Sequence, residues 1–452
     1  MMSALQSESP ELSGFLNFLS QSPTAFHAAA NIRARLLESG FEELFEGRRW
    51  SLSRGGAYFL MRNDSSIIAF RIGEALDAKD ASFVVSASHS DSPCFKIKEN
   101  AELTVRGKYM KLNTEGYGGM ICSTWMDRPL SVAGRVLVRR TAGHTEAFET
   151  RLVDFGRDLV MIPSLAIHMN RAVNDGTAFN KQVDMLPLFG LAPLKDGEFR
   201  EMVADAAQVS PSDILGSDLY LYNRMAPTVW GAHREFLSSA KLDDLECAYG
   251  TLEGFLHGKN ANSIQVYCCF DNEEVGSGTG QGAGSTFLPD VLFRVVSALG
   301  MDGEDYRCMT ARSFLASCDN AHAVHPNHPE KTDDSNCVYM NEGIVLKSSA
   351  AQKYTSDGIS TALYRSVCER AGVPVQFFAN RSDMAGGSTL GNIAMKQVSM
   401  KAVDLGLAQL AMHSAYETAG VRDLSYLASA TTTLYSSRLA VSDNGAPVLE
   451  NE

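Results

Sequence analysis

The sequence has no Cys-x-x-Cys pair, and its cysteines are odd in number, nine in 452 residues. Neither a zinc ribbon, a thiol redox motif nor a closed disulfide framework is therefore expected. Cys268 and Cys269 lie inside an apolar run, which reads as reduced core thiol. No stretch approaches the ~18 apolar residues of a membrane span. The opening MMSALQSESPELSGFLNFLS lacks the basic and long apolar regions of a secretory leader. These absences set a cytoplasmic, membrane-free expectation. Positive charge is also short: the formal net charge is −13, which excludes a general nucleic-acid binder and leaves metal cations as partners. HExxH, GxSxG and Cys/His nucleophile signatures are missing too, setting aside those protease and esterase classes.

What is present is a soluble composition, 45% hydrophobic and 21% charged, on a chain long enough for two domains or one domain with an insertion. From about Phe15 to Lys96, and again from about Lys241 onward, short apolar runs alternate with helical patterns. In TSDGISTALYRSVCERAG, Ser356 or Asp357 can cap a helix with Ile359, Leu363 and Val367 on one face; Gly372 stops it, and VPVQFFAN follows as a strand. Between these parts the texture has period two, as in ELTVRGKYMKLN and LSVAGRVLVRR. The expectation is an α/β domain with a mixed central sheet flanked by helices, built from residues 1–96 and 241–452, with a β-rich insert at 97–240.

Several apolar runs end in residues that bind metals. SFVVSASHSDSP closes on His89 and Asp91, IQVYCCFDNEEVGS on Glu273 and Glu274, and SFLASCDNAHAVHP on Asp319. In an open α/β sheet the carboxyl ends of strands line one crevice, so residues distant in sequence can meet there. His, Asp and Glu without Cys suit a catalytic zinc, manganese or cobalt centre. Two ions about 3.5–4 Å apart call for a bridging carboxylate; Asp243 or Asp244 in KLDDLECAYG could supply it. His413 lies in an alanine-rich, helix-like stretch. Taken singly, each has a plainer reading as a cap, turn or core residue. The adjacent Glu273 and Glu274 are harder to dismiss, because they repel unless a cation lies between. One can ligate while the other takes a proton from water.

Two motifs compete for attention. GTGQGA, Gly278 to Ala283, satisfies GxGxxA after a strand, but DNEE would set carboxylates beside the phosphates of a dinucleotide. The glycines read better as close-packed backbone beside a cleft. In HAVHPNH the spacing could align His322 and His325, but Pro326 breaks the register before His328.

Taken in order, ASHSDSP, KLDDLE, FDNEEVGS, DNAHAVHPN and MHSAYE resemble the aspartyl aminopeptidase family of co-catalytic zinc metallopeptidases, as do SPTAFHA, TWMDRPLSVAGRV, IPSLAIHMNR, LKSSAAQKYTSD and GGSTLG. The segment RSDMAGGSTLG suggests a bacterial-type member and leaves open which of Ser388 and Thr389 contacts the substrate. The resemblance implies a zinc-exopeptidase-like fold and a di-zinc enzyme that removes N-terminal Asp or Glu from peptides. It implies Asp243 as the bridge, with His89 and Asp319 completing one metal and Glu274 and His413 the other. Glu273 would be the general base acting on a metal-bridging hydroxide, and Asp91 would orient its neighbours. Lys347 and Tyr354 would hold the substrate. His168 matches a histidine implicated in activity within the family's inserted dimerisation domain, as a ligand or as a contact in a neighbouring subunit. Self-association into a homododecamer built from dimers is the corresponding expectation. The competing readings are a di-metal aminopeptidase of other specificity, a deacylase on the same scaffold, and a scaffold that has lost activity.

Overall fold

The computed structural model describes residues 9–142, 145–192, 195, 197–441 and 447–451. Its centre is a nine-stranded mixed sheet. Three of the strands, Phe83–His89, Ile264–Phe270 and Phe314–Cys318, are buried along their whole length. That explains why they read as continuous apolar runs without alternation. They are parallel neighbours, with Phe83–His89 in the middle, and Lys401–Gly406 continues the parallel set. Their carboxyl ends therefore share one edge.

Alternate residues serve opposite faces of this sheet. Tyr267 and Cys269 pack with the helices Pro10–Gln21, Ala25–Glu38, Leu242–His257 and Asp423–Tyr435. Val266, Cys268 and Phe270 pack against Phe287–Ala298 on the other side. All nine cysteines are free thiols, and Cys268 and Cys269 are buried, as the apolar run implies.

A six-stranded antiparallel sheet draws on residues 94–223, including Cys94–Val105, Leu130–Ala142 and Ile214–Asn223. It has its own core around Phe95, Trp125, Val136 and Leu221. A third sheet joins Phe236–Ser239 to Glu417–Gly420, and Ala408–Leu410 to both Glu417–Gly420 and Ala321–His322.

Two local expectations change. The helix Gly358–Ala371 is capped by Asp357 in a capping box with Ser360 and stopped by Gly372 at φ +65°, but it buries Ser360, Tyr364 and Val367 while Ile359 is 52% exposed. The buried stripe therefore runs through Ser360, Tyr364 and Val367, one position round from the expected Ile359 face. The stretch around His413 is not helical. It is a turn between Ala408–Leu410 and Glu417–Gly420, with His413 itself at φ +67°. Strand pairing on both sides overrides the alanine preference for helix.

Candidate active site

The parallel strand ends bring together what the sequence separates. His89 closes its strand fully buried, and its Nδ1 lies 3.0 Å from the carbonyl oxygen of Asp91. That contact puts the ring proton on Nδ1 and leaves Nε2 as a lone-pair donor. Nε2 lies 3.8 Å from Asp243 Oδ1 and 4.0 Å from Asp319 Oδ1. On the other side of Asp243, His413 Nε2 lies 3.3 Å from Asp243 Oδ2 and 3.3 Å from Glu274 Oε2.

Ligand atoms of His89, Asp243, Asp244 and Asp319 fall within 4.8 Å of one another, as do those of Asp243, Glu274 and His413, and those of His89, Glu273 and Glu274. Asp243 is the carboxylate shared by the first two clusters. Asp243 Oδ1, Asp244 Oδ1 and Glu274 Oε1 are buried without a hydrogen-bond partner among the described residues. Orphaned carboxylate oxygens around imidazole lone pairs fit a zinc centre.

The electrostatics point the same way. Burial, with neighbouring carboxylates adding to it, pushes Glu273 up to about 8 and Asp319 up to about 6. Burial also drives Glu274 and Asp244 well above the usual carboxylate range. Burial opposes the charged form of His89, but Asp244 and Asp91 outweigh it and raise its pKa. Protein cations alone leave the cluster short of positive charge, which divalent ions would supply.

Three carboxylates support the cluster through backbone amides. Asp91 accepts the backbone N–H of Glu273 and of Glu274, each at 3.1 Å, which fixes the glutamate turn. Glu417 accepts the N–H of Asp243 at 3.0 Å and of His413 at 2.7 Å, one on each oxygen. Its only sequence signal is a carboxylate four residues after His413 inside MHSAYE. Asp244 turns Oδ2 to the N–H of His89 at 3.1 Å. The glycine-rich loop buttresses the same turn, since Asn272 Oδ1 accepts from Thr279 and Gln281, each at 2.8 Å. A side chain at Gly282 or Gly284 would meet the Ser277 carbonyl oxygen at 2.5 or 2.7 Å, so these positions serve close backbone packing.

The cluster floors an open cleft that also presents Lys347, Tyr354, His322 and Ser388. Lys347 is 3% exposed; its Nζ donates to the Asn320 carbonyl at 2.7 Å and lies 4.0 Å from Asp319 Oδ2. Thr389 lines the same cleft but is buried and spends its hydroxyl on Asp404 Oδ1 at 2.7 Å, whereas Ser388 is exposed. His168 is exposed and does not line the cleft of its own chain.

Residues 18–435 match the family described as aminopeptidase I zinc metalloprotease, M18. The chain belongs to the M18 aminopeptidase family. As an M18 member it is a zinc-dependent aminopeptidase. A Clostridium acetobutylicum protein named "Probable M18 family aminopeptidase 2" is 45% identical over 416 residues, covering 91% of this chain and 95% of that one. Among solved structures, Ape4 in its complex with Nbr1 is 33% identical with a TM-score of 0.90, over 94% of this chain and 85% of Ape4. The S. cerevisiae mApe1 dodecamer is 26% identical with a TM-score of 0.81, over 94% of this chain and 96% of that one. No helix among the described residues is long and apolar enough to cross a membrane.

Proposed function

We propose that this M18 enzyme removes N-terminal aspartate or glutamate from peptides at a two-ion centre bridged by Asp243. The observation that carries the two-ion reading is the position of Asp243, with His89 and Asp319 on one side and Glu274 and His413 on the other. Zinc is the family's metal; manganese or cobalt would suit the same donors. Bound there, the ions would acidify water and polarise the scissile carbonyl.

The chain's own residues account for the rest. Glu273 holds a carboxylate in the cleft beside the ligands; it takes the proton of the attacking water and delivers it to the leaving amine nitrogen. Asp91 keeps both glutamates in register through their backbone amides. Lys347 supports the acidic preference: a buried ammonium facing the cleft offsets the cost of bringing a substrate carboxylate into a protein of charge −13. Tyr354, whose ring centroid lies 5.5 Å from Lys347 Nζ, offers a phenol to the substrate or to the developing oxyanion.

The segment 97–240 is taken as the self-association module, and a dodecamer like that of mApe1 is the proposed assembly. Leu165, Ile167 and Met169 flank His168 at 53, 53 and 74% exposure. An apolar strip of this kind suits burial by a second copy, with His168 carried toward that copy's cleft.

The test is hydrolysis of aspartyl, glutamyl and alanyl chromogenic substrates and of acylated amino acids, before and after chelation. Selective, chelator-sensitive cleavage of the acidic substrates is expected. Equal cleavage of the alanyl substrate, or preference for acylated amino acids, would overturn the specificity. Activity that survives complete metal removal would overturn the two-ion centre.

A further inference from the structure

The cleft takes Tyr354 and Ser388 from separate loops. Tyr354 stands between the strand Ile344–Lys347 and the helix Gly358–Ala371. Ser388 stands between the strand Val375–Phe378 and the short helix Leu390–Ala394. Neither loop is paired into a sheet, so side chains must fix where they lie relative to each other.

Both loops reach the same carboxylate. Asp404, on the strand Lys401–Gly406, is fully buried. Its Oδ1 accepts the hydroxyl of Thr389, next to Ser388, at 2.7 Å. Its Oδ2 accepts the N–H of Thr355, next to Tyr354, and the Thr355 hydroxyl at 2.9 Å. The Asp404 N–H adds a further tie, donating to Ser356 Oγ at 2.9 Å. The fit is close, since a side-chain carbon at Gly391 would meet Asp404 Oδ1 at 2.4 Å. A buried carboxylate is tolerated only when its oxygens are hydrogen-bonded, and both are. Hydrogen bonds to such a group are strong and are not shared with water. The other link between the loops, from Ser388 through Asn392 to the Gln352 carbonyl, is exposed, and its second bond is 3.4 Å long. None of the Asp404 side-chain bonds goes to a residue of the metal cluster.

We infer that Asp404 is a positioning residue for the substrate: it joins the loops of Tyr354 and Ser388 and so fixes the wall of the cleft that grips the peptide. Asp91 and Glu417 do the same for the metal side, each holding two backbone amides. The inference rests on the reading that Tyr354 contacts substrate, and not on the preference for acidic N-termini.

The test is a double-mutant cycle on the zinc-loaded enzyme, read with whichever of the aspartyl and alanyl chromogenic substrates it cleaves faster. Asp404→Ala should lower kcat/KM at least about tenfold, within the range of a misplaced substrate contact, while zinc affinity stays within about twofold of wild type. That loss should shrink to about threefold or less in a Tyr354→Phe background, because the phenol to be misplaced is already gone. Asp404→Asn should recover most of the activity: its amide oxygen can take both Thr355 donors, and its amide nitrogen can donate to Thr389 Oγ1. If Asp404→Ala does not fold, Thr355→Val, which removes one tether, goes through the same cycle. An equal loss in both backgrounds would overturn the inference and leave the substrate role of Tyr354 standing. Zinc affinity that falls in step with kcat/KM, near-normal kcat/KM in Asp404→Ala, or an Asn variant no better than the Ala one would overturn it too. Normal kinetics in Tyr354→Phe alone would remove Tyr354 from the substrate, and the inference with it.

Discussion

Tyr117 donates its hydroxyl to Asp91 Oδ2 at 2.6 Å. This single contact ties a strand of the six-stranded sheet to the carboxylate that fixes the paired glutamates. Tyr117→Phe should lower stability by about 1.5–3 kcal/mol, the range for a hydrogen bond to a charged group. Asp91→Ala should cost about 10- to 100-fold in zinc affinity, because both glutamate amides lose their anchor. Calorimetric metal titration checks the second, and denaturant unfolding the first.

Glu273→Gln keeps the shape of the turn, since Asp91 grips its backbone and not its carboxylate. Zinc content should stay near wild type while kcat falls by about 10²- to 10⁴-fold. Metal analysis beside steady-state kinetics decides, and near-normal turnover would remove Glu273 as the base.

Lys347→Met should lower kcat/KM for aspartyl substrates at least about tenfold more than for alanyl substrates, as expected on losing a charge-assisted contact. Some loss on every substrate is also expected, because Nζ lies 4.0 Å from Asp319. Loss of the same size on all substrates would leave Lys347 as a support for Asp319 only.

Chelation should make stability depend on pH. Burial, then nearby carboxylates, pushes Glu273 and Glu417 up to about 8 and Asp319 up to about 6. An acid with a raised folded pKa binds its proton more tightly when folded. Its contribution is therefore fully present below the unfolded value and lost as pH climbs through the folded one. Chelated protein should lose Tm steadily from about pH 4 to 8, whereas zinc-loaded protein should show a shallower decline. Scanning calorimetry across that window gives the answer.

Much of this site could be read in the chain because the fold uses an old device: apolar strands that end in polar ligands. His89 ends one fully buried strand, and Glu274 and Asp319 follow two others; that pattern is visible one strand at a time. Glu417 was not legible, because it acts through backbone amides of Asp243 and His413, and nothing in a carboxylate's neighbours along the chain announces which distant amide it will meet. The turn at His413 was hidden for a related reason. Its alanines look helical, and only pairing with Phe236–Ser239 and Ala321–His322 makes strands of its flanks. The glycines after Glu274 became intelligible only once Ser277 was seen folded against Gly282 and Gly284.

The third sheet sets a limit on protein engineering. Phe236–Ser239 follows the six-stranded sheet in sequence, yet its hydrogen bonds go to Glu417–Gly420, directly after the His413 turn. A shortened enzyme made by deleting residues 97–240 would strip the pairing partner from the strand that begins with Glu417. A cut that ends before Thr228 would spare it, so the excisable unit is smaller than the stretch of alternating sequence suggests.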